Sequence, residues 1–359
     1  MAGLGETTAA LRRMRKAAAA ASGAPTATGR LTETSFSPNP GNLRMLSYAP
    51  AGVAKPALVV ILHGCSQTAE AFAQGSGWIE LAGRCGFALL CPEQKPANNA
   101  NRCFNWFEPA HIRRGDGEAG SIRAMIERAV TLHGVDPGRI YITGLSAGGA
   151  MAAVMLAAYP ETFAGGAIIA GLPYGAAANM HEAFSSMMQP QSRSGPEWGR
   201  SLRRAGGRGE DGWPSISIWH GGADTTVHVD NSEAMVRQWR HAHGLDRAAP
   251  EIDAVSGYRR ERWRGGDGLV RVTRYSAPTL GHGAPVKLSG TDACGEAGPF
   301  LIAGPLSSSL QIARDWGLAE GRAANAPEDA DPVAIEAPSL AGEIDAVIRN
   351  ALAAAGLIR

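Results

Sequence analysis

The chain has 359 residues, of which 45% are hydrophobic and 19% charged, and its formal net charge is +1. These values are ordinary for a soluble globular enzyme, and a nearly neutral chain gives no electrostatic reason to expect nucleic acid or an anionic membrane as a partner. No apolar run approaches the ~20 residues that a membrane-spanning helix needs. The five scattered cysteines contain no C-x-x-C pair, so they predict neither a disulfide scaffold nor a zinc site.

Residues 1–30 are predicted to form a flexible N-terminal arm, because alanine, glycine and threonine dominate there after a short basic segment. A helix that docks on a partner is the alternative. The alanine run is too short and too weakly apolar for a signal peptide, whose apolar region spans roughly 7–15 residues. We therefore expect a cytoplasmic protein, with an extracellular one as the alternative.

The next part of the chain alternates runs of aliphatic residues with segments of helical spacing. The run at 57–62, for example, is continuously apolar, as a central parallel strand buried on both faces would be. A polar loop is predicted at 98–114. We expect strands at 31–36, 43–48, 57–62, 87–92, 140–143, 163–170 and 215–220, and helices at 69–84, 117–133, 147–158 and 233–244.

A long segment, residues 172–214, separates two of these strands and carries methionines together with several Gly and Pro breaks. Segments of this length between neighbouring strands are usually functional, so we expect a lid over the site. A hairpin is predicted from 258–263 and 269–275 around a glycine-rich turn. Residues 321–359 are predicted to form a linker and a C-terminal helix.

The alternation of strands and helices indicates an α/β fold with a mostly parallel central sheet flanked by helices, which we place at 31–320. Ligands of such sheets bind beyond the carboxyl ends of the strands. The motifs described next all follow predicted strands.

Gly144-Leu145-Ser146-Ala147-Gly148 is a G-x-S-x-G pentapeptide between a predicted strand and a predicted helix. A strand that turns directly into a helix holds its middle residue in a strained backbone conformation and brings chain segments close together. Glycines two residues before and after the serine remove the side chains that would clash. The pattern is typical of a nucleophilic serine at a helix N-terminus.

A serine hydroxyl needs a base to take its proton and a carboxylate to orient that base. In the α/β-hydrolase fold the acid and then the histidine follow the serine along the chain. Asp224, just beyond the strand at 215–220, is the predicted acid, with Asp230 as its nearest competitor. His282, directly after the last strand, is the predicted base. A metal site at His241 and His243 is the weaker alternative, because no acidic motif accompanies them.

Acyl transfer also requires donors for the negative oxygen that develops on the carbonyl. The backbone N–H of Ala147, the residue after the nucleophile, is predicted to be one donor. The other is expected from the turn after Leu62, where Gly64 permits a close approach and Cys65 offers its N–H.

Five motifs together resemble the polyhydroxybutyrate depolymerase family of esterases, which also includes, more distantly, feruloyl and acetylxylan esterases. The resemblance covers about residues 42–318. It implies an α/β-hydrolase with a Ser146, Asp224 and His282 triad, Cys65 and Ala147 as oxyanion donors, and hydrolysis of 3-hydroxybutyrate esters without a metal or cofactor. The motifs are His63-Gly-Cys-Ser-Gln, Cys103-Phe-Asn-Trp-Phe, Gly144-Leu-Ser-Ala-Gly-Gly-Ala-Met, His220-Gly-Gly-Ala-Asp and Gly281-His-Gly.

Cys65 and Cys103 lie inside two of these motifs, and their loops follow strands that should be neighbours, so we predict a disulfide between them. Trp78, Trp106 and Phe107 are predicted to line the acyl pocket, although core packing explains Trp78 equally well. The alternatives to a polyhydroxyalkanoate esterase are a feruloyl or acetylxylan esterase and a catalytically silent granule-binding protein of the same fold. The sequence does not indicate the oligomeric state.

Overall fold

The computed structural model describes residues 30–206 and 212–319. The arm predicted at 1–30, apart from its last residue, and the linker and helix predicted at 321–359 lie outside these ranges. Within the described ranges no helix is both long and apolar enough to cross a bilayer.

The structure is built on one ten-stranded sheet with the strand order β1-β2-β4-β3-β5-β6-β7-β10-β9-β8. The six central strands, from β4 to β10 in this order, run parallel to one another, and the strands at both edges are antiparallel. The strands of this sheet are β1 Thr32–Glu33, β2 Arg44–Tyr48, β3 Leu58–Leu62, β4 Ala88–Glu93, β5 Ile140–Leu145, β6 Gly165–Ile169, β7 Ser215–Gly221, β8 Glu251–Val255, β9 Tyr258–Arg264 and β10 Val270–Ala277; β11 Ala284–Val286 and β12 Leu301–Ala303 pair separately.

The helices connect the parallel strands and cover the sheet. The helix that follows β5 is buried along its whole length, as its run of alanines, methionines and leucine predicts. The helices are α1 Ala69–Gly75, α2 Trp78–Cys85, α3 Pro109–Ile112, α4 Gly117–His133, α5 Ala147–Ala158, α6 Met180–Met188, α7 Gly195–Gly206, α8 Asp230–Ala242 and α9 Ser308–Asp315.

Apolar residues cover both faces of the sheet, because successive side chains of a strand point to opposite faces. In β4, Leu90 belongs to one apolar cluster and Leu89 to the other, and both side chains are fully buried. The first cluster includes α4, α5 and α8, and the second includes α1, α2 and α9. The continuous apolar runs predicted for the central strands reflect this burial on two faces.

The helix predicted at 69–84 is two helices, α1 and α2. Gly77 lies between them with a φ of 83°, a conformation that an L-residue with a side chain adopts only at a cost. A Cβ atom on Gly77 would also lie 2.4 Å from Sγ of Cys294. Apolar spacing continues across this break, so the pattern alone predicts a single helix.

Several elements were not predicted from the sequence. The hairpin of β9 and β10 is present, but β8 extends it on the outer side with five residues of which none is buried. The strands β11 and β12 have three residues each. Helix α3 lies inside the predicted polar loop, and α9 lies near the end of the described chain.

Candidate active site

Ser146 stands on the sharp turn between β5 and α5, with φ 57° and ψ −119°. This conformation is strained for a residue with a side chain. Its N–H donates to the carbonyl of Ile169, at the end of the neighbouring strand β6, over 2.9 Å. A Cβ on Gly144 would lie 2.3 Å from the carbonyl oxygen of Gly148, and one on Gly148 would lie 2.2 Å from that of Leu62. Both glycines of the pentapeptide are thus required by close backbone contacts.

Ser146, His282 and Asp224 form a continuous row of hydrogen bonds. Nε2 of His282 lies 2.9 Å from Oγ of Ser146, and Nδ1 lies 2.7 Å from Oδ2 of Asp224. Three separate loops bring these side chains together at the carboxyl ends of β5, β7 and β10. His282 and Asp224 are buried, while Ser146 is partly buried. The arrangement can move a proton from the hydroxyl to the imidazole beside a fixed negative charge.

The carboxylate of Asp224 is held on both of its oxygens. Oδ1 accepts the N–H groups of Thr226 at 2.9 Å and Val227 at 2.8 Å, while Oδ2 faces His282. Burial acts to raise the pKa of Asp224, but hydrogen bonds from His220 and His282 outweigh burial and hold the pKa well below its usual range. Asp224 therefore stays ionised when the imidazole beside it becomes charged.

The turn after β3, which contains Cys65, lies at the same end of the sheet as Ser146, because β3 and β5 are parallel neighbours. The N–H groups on either side of Cys65 are occupied, since Gly64 N–H donates to Oε1 of Gln67 at 2.9 Å and Ser66 N–H donates to the carbonyl of Asn101 at 2.7 Å. Among the described residues, the N–H groups of Cys65 and Ala147 have no hydrogen-bond acceptor. Both predicted oxyanion donors therefore have a free N–H group, and their role in binding an oxyanion stays a prediction.

His63 holds this turn in place through hydrogen bonds. Its Nε2 accepts the N–H of Gln94 at 3.1 Å, so the ring hydrogen lies on Nδ1, which donates to the carbonyl of Gly64 at 2.8 Å. Burial lowers the pKa of His63 and keeps the ring neutral. The motif identified the turn, but the bond from Gln94 was not predicted.

Cys65 and Cys103 form a disulfide with their Cα atoms 4.3 Å apart. The bond joins the turn after β3 to the loop that carries Trp106, and the bond from Ser66 N–H to Asn101 runs beside it. Cys85, Cys91 and Cys294 are free. The turn that contains Cys65 is therefore fixed covalently to the neighbouring loop.

Glu118 is a fully buried carboxylate under this loop, and it was not predicted to matter. It accepts both the backbone N–H of Asn105 at 2.8 Å and the side-chain amide of Asn105 at 2.6 Å. It also accepts the amide of Gln94 at 2.6 Å, and that amide donates to the carbonyl of Cys103 as well. Glu118 thereby joins the end of β4, the disulfide loop and α4. No sequence motif marks it, because a single acidic residue at the start of a helix is usually exposed.

The three aromatic residues predicted to line the pocket occupy different places. Trp78 is only 1% exposed and packs against Trp316 and Phe87 in the second apolar cluster. Trp78 is therefore a core residue, and the alternative interpretation of the sequence applies to it. Trp106 and Phe107 pack edge to face with their ring centroids 5.4 Å apart, in the same cluster as Ala147.

The competing residues have other partners. Asp230 is the first residue of α8, and its carboxylate lies 3.5 Å from Nδ1 of His228, both side chains being at least half exposed. Nδ1 of His241 lies 2.7 Å from Asp246, and Nε2 of His243 lies 3.1 Å from the carbonyl of Pro214. Within the described chain, none of these residues contacts Ser146.

Comparison with known proteins places this site in context. A family model described as Esterase PHB depolymerase matches residues 43–262. The chain is 42% identical over 292 residues to the poly(3-hydroxyalkanoate) depolymerase C of Paucimonas lemoignei, across 80% of this chain and 70% of that protein. It is 34% identical over 230 residues to the acetylxylan esterase A of Aspergillus oryzae, across 61% of this chain and 72% of that protein.

Among solved structures, an acetyl xylan esterase from Aspergillus awamori superposes with a TM-score of 0.67 at 23% identity, over 81% of this chain and 100% of that chain. At this identity the likeness shows the fold alone. Together with the parallel sheet and its flanking helices, it confirms the α/β-hydrolase fold predicted from the sequence.

Proposed function

The chain belongs to the PHB depolymerase family of esterases and is a carboxylic ester hydrolase, and from this premise we propose that it hydrolyses the ester bonds of short-chain polyhydroxyalkanoates. The substrate class is a polyester or oligomer of 3-hydroxybutyrate. The observation that carries the proposal is the row of hydrogen bonds from Asp224 through His282 to Ser146. The 42% identity to a poly(3-hydroxyalkanoate) depolymerase supports the choice of substrate.

In the first half of the reaction, Oγ of Ser146 attacks the ester carbonyl carbon while Nε2 of His282 takes the hydroxyl proton. The carbonyl oxygen becomes negative, and the N–H groups of Cys65 and Ala147 donate to it. Asp224 stabilises the imidazolium that forms. His282 then returns the proton to the leaving alkoxide as the C–O bond breaks, so that the alcohol departs and an acyl group remains on Ser146.

In the second half, water attacks the acyl carbon and His282 takes a proton from it. The tetrahedral intermediate collapses with release of the carboxylic acid, and the proton passes to Oγ of Ser146. The free enzyme is restored without any redox change. The residues at the site supply every proton transfer.

The triad is tested by Ser146→Ala. We expect kcat on a 3-hydroxybutyrate oligomer to fall by about 10⁴-fold or more, because the nucleophile is lost while the oxyanion donors remain. Ser185→Ala, which changes an exposed serine of α6, is the matched control and should keep the wild-type rate. A Ser146→Ala enzyme with a tenth of the wild-type kcat would contradict the assignment.

The same purified protein can be used to test two alternative functions. A feruloyl or acetylxylan esterase, which the relatives from Aspergillus represent in this family, would turn over those esters faster than hydroxybutyrate oligomers. A silent granule-binding protein would not be labelled at Ser146 by a fluorophosphonate. The row of hydrogen bonds and the free N–H groups favour an active enzyme over the silent one.

We also propose an oxidising compartment, which was the alternative in the sequence-based prediction. Disulfides persist in secreted proteins, whereas cysteine thiols are kept reduced in most cytosols. The bond between Cys65 and Cys103 therefore favours an extracellular location, and the predicted cytoplasmic location has no support in the structure.

A further inference from the structure

A second histidine, His220 of β7, lies against the carboxylate of Asp224. The two side chains are fully buried. Nε2 of His220 lies 2.8 Å from the carbonyl oxygen of Val227 and 3.4 Å from Oδ2 of Asp224. The same Oδ2 faces Nδ1 of His282 at 2.7 Å. Two imidazole rings therefore converge on one carboxylate oxygen.

The surroundings of His220 determine which of its nitrogens carries the hydrogen. A carbonyl oxygen can only accept, so Nε2 is protonated and donates to Val227, with Oδ2 of Asp224 at 3.4 Å from the same nitrogen. Nδ1 is buried and has no hydrogen-bond partner in the described part of the chain. Leaving a polar nitrogen unpaired in the interior costs free energy that an apolar side chain would avoid. Packing alone therefore does not account for a histidine at this position.

His220, Val227 and Asp224 are in mutual contact. Val227 donates its N–H to Oδ1 of Asp224, and its carbonyl oxygen accepts from Nε2 of His220. Oδ1 is fixed by two backbone N–H groups of the turn. Without His220, Oδ2 would be held by His282 alone, and His282 alternates between neutral and charged forms during each reaction cycle.

Resting on the proposed triad, we propose that His220 is a positioning residue whose Nε2–H fixes Oδ2 of Asp224 and thereby the orientation of His282. His220 does not touch the substrate. Its loss leaves Oδ1 held by the two backbone N–H groups but Oδ2 facing His282 alone, so Oδ2 is less well fixed and interacts more strongly with the imidazolium. The expected consequences are a lower kcat and an acid limb of the kcat/KM profile that moves to higher pH.

The test compares His220→Leu with His220→Gln, because the glutamine amide can replace the Nε2–H donor. We expect the leucine variant to lose about 10-fold or more in kcat, as misplaced catalytic groups do, with KM little changed and the acid limb shifted. The glutamine variant should recover most of the wild-type kcat, and the acid limb of its kcat/KM profile should lie at the wild-type pH. His243→Leu, which removes another histidine bonded to a backbone carbonyl, is the control. Its acid limb in kcat/KM should lie at the same pH as that of the wild type. A folded leucine variant whose acid limb coincides with that of the wild type overturns the proposal, whatever its rate.

A second measurement does not depend on a variant that folds. In ¹⁵N-labelled wild-type protein, the ring couplings of His220 should show a hydrogen on Nε2 near neutral pH. A neutral ring with its hydrogen on Nδ1 would overturn the proposal. The ring is measured without substrate, so this result is independent of whether the wild-type enzyme hydrolyses hydroxybutyrate esters.

Discussion

Glu118 combines a fully buried position with three hydrogen-bond donors that point at its carboxylate. Burial raises its pKa from an ordinary value of 4.5 to about 7, although the hydrogen bonds from Asn105 and Gln94 act in the opposite direction. The folded protein therefore keeps a proton on Glu118 at pH values where the unfolded chain has lost it. The contribution of Glu118 to the free energy of unfolding must then fall as pH rises from about 4.5 to about 7, since Glu118 binds more protons in the native state across this window.

Glu118→Gln removes this titration. We expect the free energy of unfolding of the wild type to fall relative to that of the variant between pH 5 and pH 7, with a slope of at most about 1.4 kcal/mol per pH unit. The measurement is urea unfolding under non-reducing conditions at several pH values. Glu127→Gln, on the exposed side of the same helix, is the control. Its free energy of unfolding should change with pH in parallel with that of the wild type. Parallel curves for Glu118→Gln as well would contradict the raised pKa.

The sequence was informative about residues of the site that belong to contiguous motifs. Ser146, Asp224 and His282 could be predicted because each follows a strand and because their order along the chain is that of an α/β-hydrolase. Glu118 and Gln94 could not, since their importance arises from contacts across the fold that no local spacing records. His220 was noted only as part of the motif around Asp224, because its bonds depend on how the turn closes.

At the scale of elements, the disulfide is the most direct link between two parts of the site. It joins the turn after β3 to the loop of Trp106 across a sequence separation of 38 residues. Replacing both Cys65 and Cys103 by serine should lower the free energy of unfolding by about 2–4 kcal/mol, because the unfolded chain gains freedom. We also expect a lower kcat, because the turn that presents the proposed backbone donor of Cys65 loses its covalent link to the neighbouring loop.

Thiol titration of the denatured, non-reduced wild-type protein should find the three free cysteines and no more. Cys85→Ser is the control for both measurements, because Cys85 is free and only partly buried. It should keep the wild-type stability and rate. Five titratable thiols, or a double variant as stable as the wild type, would contradict the role of the disulfide.

The segment 172–214 remains a proposed lid, and its attachments support that proposal. It begins just after β6, whose last carbonyl accepts the N–H of Ser146. The end of α6 is fixed to the loop after Asp224, because the carbonyl of Met187 accepts the N–H of His228 at 2.8 Å. Met180 and Met188 on this helix are 43% and 52% exposed, and flexible methionines suit irregular apolar ligands.

Replacing Met180 and Met188 together by glutamine should raise KM for longer acyl esters by about 3-fold or more, because apolar contact with the chain is lost. Acetyl esters should be hydrolysed as before. Leu132→Gln, at an exposed apolar residue of α4, provides a control of similar chemistry. Unchanged selectivity across a series of chain lengths would mean that α6 does not cover the substrate.

The limits of sequence-based prediction at this scale have local causes. Buried strands and long amphipathic helices were recognised because apolar spacing reports burial. The break at Gly77 was missed because a left-handed residue interrupts the backbone without interrupting that spacing. Strand β8 was missed because a short edge strand with no buried residue lacks the apolar run that reports burial.

At the scale of the whole molecule, the two apolar clusters lie on opposite faces of one sheet, and the central strands contribute to both. A chain of this size can unfold through intermediates if its parts are separately stable. Here neither cluster can lose its packing without exposing the other face of the same strands. We therefore expect both faces to unfold in a single transition.

Leu89→Ala and Leu90→Ala test this expectation as a matched pair, because adjacent residues of β4 with equal burial point into different clusters. Each should lower the free energy of unfolding by about 2–5 kcal/mol, the usual cost of a buried Leu→Ala change. Trp78 lies in one cluster and Trp198 in the other, so ¹⁹F spectra of fluorotryptophan-labelled protein report on both faces. In each variant the two signals should be lost at the same, lowered denaturant concentration. If only the signal of the tryptophan in the mutated cluster were lost at a lowered denaturant concentration, the two faces would unfold independently.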